Sequence, residues 1–368
     1  MVTLFLGGDV MTGRGVDQIL PCPNTPELSE SFIRDARRYV ELAEAANGPI
    51  PRPVDPAYIW GDALEVLERA APAARVVNLE TSVTSAREPW PGKAVTYRMH
   101  PANVGCLTAA RLDVCALANN HVLDYGPAGL EETLATLARA GIRTAGAGRT
   151  LAEARRPAVV DLAGGRRLLV FAVGAACSGI SARWAATADH PGVDFLPEVD
   201  ATAAAAVVAR VQAAKRPGDL VVLSVHWGSN WGDEVDETHR RFAHRVIEGG
   251  VDIVHGHSSH HPRPIEVHRG RLVLYGCGDL IDDYEGISGY EAFRADLVLL
   301  YLATVAGDGT LQTLRLVPMR IRRMRLEHAP PADAEWLGER LDRLSTPFGC
   351  RLECGADRTL VLRWASAR

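Results

Sequence analysis

The sequence predicts an α/β fold with two sheets, on three observations. Short apolar runs alternate with helical patterns from residue 2 to about residue 254. Between about Arg263 and Arg323 the runs read as strands without long helices, and throughout the chain polar clusters close the apolar runs. Strands of an open α/β sheet are buried on both faces, so ligands and chemistry collect where those strands end.

The elements follow in order. Val2-Thr3-Leu4-Phe5-Leu6 reads as a buried first strand that runs into Gly7-Gly8-Asp9-Val10-Met11-Thr12-Gly13-Arg14-Gly15, leaving an acid on a glycine turn. Pro21 to Pro56, proline-rich at both ends with a helical stretch near Phe32 to Ala46, reads as an insertion, either a lid beside Asp9 or a surface decoration. Further strands are expected at Arg75 to Leu79, Val114 to Leu117, Thr144 to Gly146, Leu168 to Val173, Leu220 to Val225 and Asp252 to Val254. Apolar residues three and four apart predict helices at Ile59 to Ala70, Pro127 to Ala140, Thr202 to Ala214 and Glu237 to Glu248.

Beyond these, the runs Arg271 to Tyr275, Ala295 to Thr304 and Leu311 to Pro318 predict a second, largely antiparallel sheet. The last two are joined across Asp308-Gly309, a hairpin signal. Residues 1–325 read as the catalytic domain. Residues 326–368 read as a small αβ extension, with an amphipathic helix at Ala332 to Ser345 and short strands around Cys350 to Cys354 and Thr359 to Trp364. Such a unit binds a peptide or builds a homo-oligomer, and the sequence does not choose between them.

Five polar clusters close apolar runs. They are the Asp9 turn, Asn78-Leu79-Glu80, Asn119-Asn120-His121, His226-Trp227-Gly228 and His255-Gly256-His257-Ser258-Ser259-His260-His261. Any one is ordinary turn chemistry. Five in series, each bringing a carboxylate, carboxamide or imidazole, imply one shared site.

Composition narrows the function classes. The 368 residues are 47% hydrophobic and 23% charged, an ordinary globular balance that supports a sizeable core. A formal net charge of −5 with no basic run excludes nucleic acid as an expected partner. The seven cysteines show no paired metal spacing and read as reduced thiols. Met1 runs directly into the first strand and no stretch approaches a spanning length, so a soluble, cytoplasmic protein without a membrane partner is expected.

The order of the clusters resembles the calcineurin-like metallophosphatase superfamily. Within it, the chain is similar to the branch named for the capsule protein CapA, involved in poly-γ-glutamate synthesis. Gly8 to Met11, Asn78 to Glu80, Asn119 to Gly126, His226 to Gly228 and Gly256 to Glu266 carry the resemblance, which spans about residues 2 to 305. It implies a metallophosphatase-like four-layer αββα sandwich of two mixed sheets. It also implies two metal sites, one using Asp9, the residue two later, Glu80 and the second His of Gly-His-x-His. The other uses Glu80, Asn120, His226 and His257.

Here the chain departs from the pattern. Met11 and Ser259 stand where the first site needs imidazoles, and a thioether or hydroxyl is a poor substitute. One divalent metal at Glu80, Asn120, His226 and His257 is the most the pattern allows, unless His255 or His260 completes the other site. Two-ion phosphoester hydrolysis is therefore not expected.

What remains suits proton transfer. An Asp and a His on opposite sides of a carbon can act as base and acid. Relatives of this CapA-like type act as lasso-peptide epimerases, which implies a metal- and cofactor-independent inversion of an α-carbon in a precursor peptide. Asp9, His257, His121 and Glu80 are the expected catalytic residues, with His121 a general acid or orienter fixed by Asp124. Arg14, Asn120, His226, Trp227, His255, His260 and Cys277 are the expected substrate-binding set.

Within that set several roles stay open. Arg14 stabilises an enolate, grips a terminal carboxylate or is a solvated cation. Trp227 and Trp231 form a substrate platform or merely cover the site. Cys277 is a proton-transfer partner or an inert thiol. A metal-dependent phosphoester or amide hydrolase and a capsule-associated protein are the alternatives to the epimerase.

Overall fold

The structure, a computed structural model, describes residues 1–365. Its first part carries β1 (Val2–Val10), α1 (Arg14–Ile19), α2 (Arg37–Asn47), α3 (Ala63–Ala70), β2 (Ala74–Leu79), β3 (Val114–Ala116), α4 (Gly126–Arg139) and β4 (Arg143–Ala145). There follow β5 (Ala158–Leu162), β6 (Arg166–Ala175), α5 (Ala201–Ala214), β7 (Leu220–His226), α6 (Glu237–Glu248), β8 (Ile253–His257), β9 (Ile265–His268) and β10 (Arg271–Leu274). The chain continues through β11 (Asp279–Ile281), β12 (Leu297–Val305), β13 (Leu311–Ile321), α7 (Pro331–Ser345), β14 (Cys350–Cys354) and β15 (Leu360–Trp364).

These strands form two main sheets. The first runs β14–β15–β13–β12–β1–β2–β3–β4, parallel from β1 to β4 and antiparallel from β1 outward through β12. The second runs β5–β6–β7–β8–β10–β9, with a parallel centre from β6 to β10.

Side chains alternate across a strand, and β6 shows how the layers stack. Leu168, Val170 and Ala172 enter the core shared with the first sheet, whereas Leu169, Phe171 and Val173 enter a separate core with Val207 of α5 and Phe242 of α6. Leu67 of α3 and Leu130 and Leu137 of α4 pack into the core of the first sheet. The layers are therefore helices, sheet, sheet, helices, the αββα order the resemblance implies.

The division of strands between sheets differs from the sequence expectation. The strands after Arg263 do not form a sheet of their own. β12 and β13 extend the first sheet, and β10 pairs in parallel with β8 in the second. β1 is buried along nearly its whole length, so its edge away from β2 needs partners for its backbone N–H and C=O groups. β12 supplies them in antiparallel register from Val2↔Val305 to Leu6↔Tyr301. The tail joins the same sheet, with β15 pairing with β13 at Arg315↔Val361 and Leu316↔Leu360.

One close approach shapes the site end of β1. A Cβ on Gly8 would lie 1.8 Å from the Gly278 carbonyl oxygen. Only glycine lets β11 come this near, and it does so with Asp9 N donating to Gly278 O at 3.0 Å and Asp9 paired beside Asp279. Among the described residues no helix is long and apolar enough to cross a membrane.

Candidate active site

The ends of β1, β2 and β3 from one sheet and of β7 and β8 from the other bring their side chains together. Asp9, Glu80, His226 and His257 are all buried. Asn78 Nδ2 donates to Asp9 Oδ1 at 2.8 Å and lies 3.2 Å from Glu80 Oε2. The backbone N–H of Ser258 donates to Asp9 Oδ2 at 3.2 Å. Ser258 sits at φ +103°, a strained setting for a non-glycine residue, and strain of this kind gathers at functional sites.

Three groups fix the protons of the imidazole cluster: the Gly7 carbonyl, Asn120 Oδ1 and the Ser224 hydroxyl. His255 Nε2 meets the Gly7 carbonyl at 2.8 Å, and His226 Nε2 meets Asn120 Oδ1 at 3.0 Å. Both oxygens accept, so these ring nitrogens donate and His226 Nδ1 carries a lone pair. The Ser224 hydroxyl lies 3.2 Å from His255 Nδ1 and 2.7 Å from His257 Nε2, with one proton for two nitrogens. Given to His257, that proton strands His255 Nδ1 without a donor. Given to His255, it makes His257 Nε2 the donor to Ser224 and turns the His257 Nδ1 lone pair toward His226 Nδ1, 2.8 Å away.

The second arrangement satisfies every outer nitrogen and leaves two lone pairs aimed at one point, with Asp9 Oδ1 3.8 Å from His257 Nδ1. Metal-ligating histidines have this form, the far nitrogen donating to an oxygen. Burial holds all three rings neutral: His255 is pushed down to about 4, and His226 and His257 well below their ordinary value.

A second group shares Asp9. Donor atoms of Asp9, His226 and His257 lie within 4.8 Å of one another, and so do those of Asp9, His260 and Asp279. His260 Nδ1 is 2.9 Å from Asp279 Oδ1, while the buried Asp279 Oδ2 has no hydrogen-bond partner. Burial and the Asp279 charge raise the Asp9 carboxyl to about 7, against hydrogen bonds from Asn78 and Glu80. Burial and the Asp9 charge hold Glu80 well above the carboxylate range. Burial opposes charge on His260, but Asp279 and Asp9 overcome it and raise the imidazole above its ordinary value. Among the described residues no Lys or Arg is hydrogen-bonded to Asp9, Glu80 or Asp279. Buried acids without a Lys or Arg partner, orphan lone pairs and mixed N/O donors fit a divalent cation.

These donor groups differ from the ligand set that the resemblance implies. Asp9, rather than Glu80, is shared by the two groups, because Glu80 Oε1 lies 3.8 Å from the far nitrogens of His226 and His121. Asn120 likewise faces the far nitrogen of His226. Met11 and Ser259 belong to neither group, and His260, one residue past Ser259, is the imidazole of the second.

Other expected residues fall in different settings. His121 lies at the rim with Nδ1 2.7 Å from Asp124 Oδ2, while Lys93 Nζ is 2.7 Å from Asp124 Oδ1. Burial, which outweighs Asp124, lowers His121 to about 4. Arg14 is neither solvated nor free to grip a carboxylate. It pairs with Asp283, reaches Glu30 at 3.3 Å and Tyr39 Oη at 2.9 Å, and lies against the Tyr39 and Tyr97 rings. Four of its five N–H groups are thereby engaged.

Trp227 is a core residue rather than a substrate platform. It stacks on His239 and Tyr275 and donates from Nε1 to Tyr275 O at 2.9 Å. The Cys277 thiol is fully buried, and burial followed by the Asp9 charge pushes it well above its ordinary value, so it is inert as a proton carrier. His255 braces Ser224 beneath the site.

A cleft of about 650 Å³ opens onto this centre at His260 and Arg14. Tyr39 and Phe32 of the 21–56 insertion line it opposite Trp231 and Tyr290, whose rings stack at 4.0 Å. Sequence reasoning places the Gly276-Cys277-Gly278-Asp279 turn beside the site but gives a role only to Cys277, and it missed Ser224. Asp279 follows the Gly276-Cys277-Gly278 turn, and an acid placed like Asp9 after a glycine turn was the signal available. Ser224, inside an apolar strand two residues before His226, is a polar residue on that strand's site face.

A family model described as bacterial capsule synthesis protein PGA_cap matches residues 3–284. A probable polyglutamine synthesis accessory protein of Mycobacterium tuberculosis is 52% identical over 98% of this chain and 95% of its own. The PGA biosynthesis protein CapA of Bacillus subtilis is 26% identical, covering 77% of this chain and 70% of its own. Among solved structures, a 5'-nucleotidase precursor from Thermus thermophilus is 15% identical with a TM-score of 0.47, covering 94% of this chain and 58% of that one.

Proposed function

For a chain that belongs to the PGA_cap family of bacterial capsule synthesis proteins, we propose an accessory role in making a poly-amino-acid polymer, exercised through a divalent-cation centre built on Asp9. The reaction class is hydrolysis of an amide or phosphoester bond. One observation carries this reading: the Nδ1 atoms of His226 and His257 converge to 2.8 Å beside Asp9, and the arrangement that satisfies every outer nitrogen leaves a lone pair on each.

A bound divalent cation supplies Lewis acidity toward a carbonyl or phosphoryl oxygen and lowers the pKa of a bound water. Asp9, His226 and His257 hold it on one side, and Asp9, His260 and Asp279 form the adjoining donor group. Asn120 and Ser224 orient the imidazoles. His121, with Nδ1 donating to Asp124, presents the Nε2 lone pair at the rim and accepts a proton there. Tyr39, Trp231 and Tyr290 offer aromatic walls to a polymer segment.

Metal-independent epimerisation of a peptide α-carbon is the second reading. It is favoured by the Asp9 carboxyl, raised to about 7, beside a His260 imidazole raised above its ordinary value, a base and an acid side by side. The names of the relatives speak of polymer synthesis, which puts the accessory role in polymer making first.

Elemental analysis of the purified protein, with thermal unfolding before and after EDTA and re-addition of manganese, zinc or magnesium, tests the pair. A near-stoichiometric divalent cation whose removal lowers the unfolding temperature supports the cation centre. Protein indifferent to all three cations that installs α-deuterium into peptides in D2O would replace it with the epimerase.

A further inference from the structure

Away from Asp9, one exposed thiol has neighbours that the other exposed thiols lack. Cys177 lies in the turn Ala176–Ser178 at the end of β6 and is exposed. Its Sγ is 3.6 Å from His239 Nε2 and accepts the Gly228 N–H at 3.3 Å. The Arg263 guanidinium lies against Gly228, 3.0 Å from where a Cβ there would stand. His239 is fixed flat on the Trp227 ring, 4.9 Å between centroids at 9°, and burial keeps it neutral. Cys22 and Cys354 are also exposed, but the Cys354 thiol donates to the Gly355 carbonyl, and neither sulfur is hydrogen-bonded to an imidazole.

We propose that Cys177 and His239 form a nucleophile–base pair and make Cys177 a modification site for small electrophiles, hydrogen peroxide foremost. His239 Nε2 takes the thiol proton as the sulfur attacks one peroxide oxygen. The O–O bond breaks, and the imidazolium returns the proton to the departing hydroxide as water. Thiol and peroxide become sulfenic acid and water, the sulfur oxidised and the peroxide reduced. The Gly228 amide stabilises the charge developing on sulfur.

The location gives the modification a consequence. Ser178 Oγ lies 2.8 Å from the Ala175 carbonyl and 3.2 Å from that of His226, so the added oxygen falls on the turn packed beneath the His226-Trp227-Gly228 segment.

Limiting iodoacetamide on the native full-length protein, followed by peptide mass mapping, compares Cys177 with Cys22 and Cys354 in one sample. Cys177 is expected to react about ten-fold faster than either. Dimedone added after brief peroxide treatment is expected to trap sulfenic acid at Cys177 first. His239→Gln is expected to bring Cys177 down to the rate of Cys354 while leaving the other two unchanged. Wild-type rates equal within about two-fold would overturn the pairing. So would a His239→Gln variant with native circular dichroism and full Cys177 reactivity. The wild-type comparison needs no variant to fold.

Discussion

His226 and His257 lie side by side at the ends of two parallel strands with their Nδ1 atoms 2.8 Å apart, and Ser224 and Asn120 hold the opposite nitrogens of the pair. Removing one of those outer partners leaves a ring free to turn. Ser224→Ala is therefore expected to weaken divalent-cation binding about 10- to 100-fold with little loss of fold, measured by isothermal titration. Unchanged affinity would mean that the lone pairs are not directed as the hydrogen bonds imply.

Asp9 gives a pH-dependent prediction with a definite sign. Its carboxyl stands at about 7 in the folded state against 3.8 ordinarily, so between these values the folded state keeps a proton that the unfolded state loses. This contribution is fully present below 3.8 and is lost as pH rises to about 7, at a cost of up to about 4 kcal/mol in cation-free protein. Relative to wild type, Asp9→Asn is expected to gain unfolding temperature as pH rises from 4 to 7 and to level off above. A flat difference across that range would remove Asp9 as a buried, raised carboxyl.

The two acids flanking Asp9 are distinguishable. Asp279→Asn removes a donor of the second group and is expected to lower cation affinity by about ten-fold or more, while Glu80→Gln costs less. Calorimetric titration of both variants checks the order. The reverse order would restore Glu80 to the bridging position expected from the family pattern.

Gly8→Ala forces a Cβ against the Gly278 carbonyl, 1.8 Å away before any relaxation. Backbone must move, and a loss of about 3 kcal/mol is expected in urea unfolding. A loss under about 1 kcal/mol would show that β11 can shift without penalty.

The two tryptophans of the His226 loop separate in the same way. Trp227→Ala empties a core position and is expected to cost about 3–5 kcal/mol of stability. Trp231→Ala, in the cleft wall, is expected to stay within about 1 kcal/mol and to act on ligand binding instead. Equal stability losses would contradict the division.

Much of this was legible in the chain. The helix Glu237–Glu248 falls where its apolar spacing places it, and the strands from Val2 to Ile253 begin or end within a few residues of the apolar runs that announce them. The five polar clusters do converge, and the motifs that resemble CapA belong to the family matched over residues 3–284. The sheet assignment of β12 and β13 was not legible, because an apolar run states that a strand is buried but not which edge it completes. Nor was the direction of Trp227, whose neighbours His239 and Tyr275 come from the helix that follows it and from a loop 48 residues on.

The sequence by itself determined the layered α/β class, the strand-end location of the chemistry and the family, because apolar periodicity and local turn residues are short-range properties. Only the tertiary structure decided which donors share Asp9, that His260 is the imidazole of the second group, that Arg14 is committed to Asp283 and Glu30, and that Ser224 orients His257. Each of those contacts joins residues from different strands or loops, at angles set by how two twisted sheets meet and by one left-handed turn at Ser258.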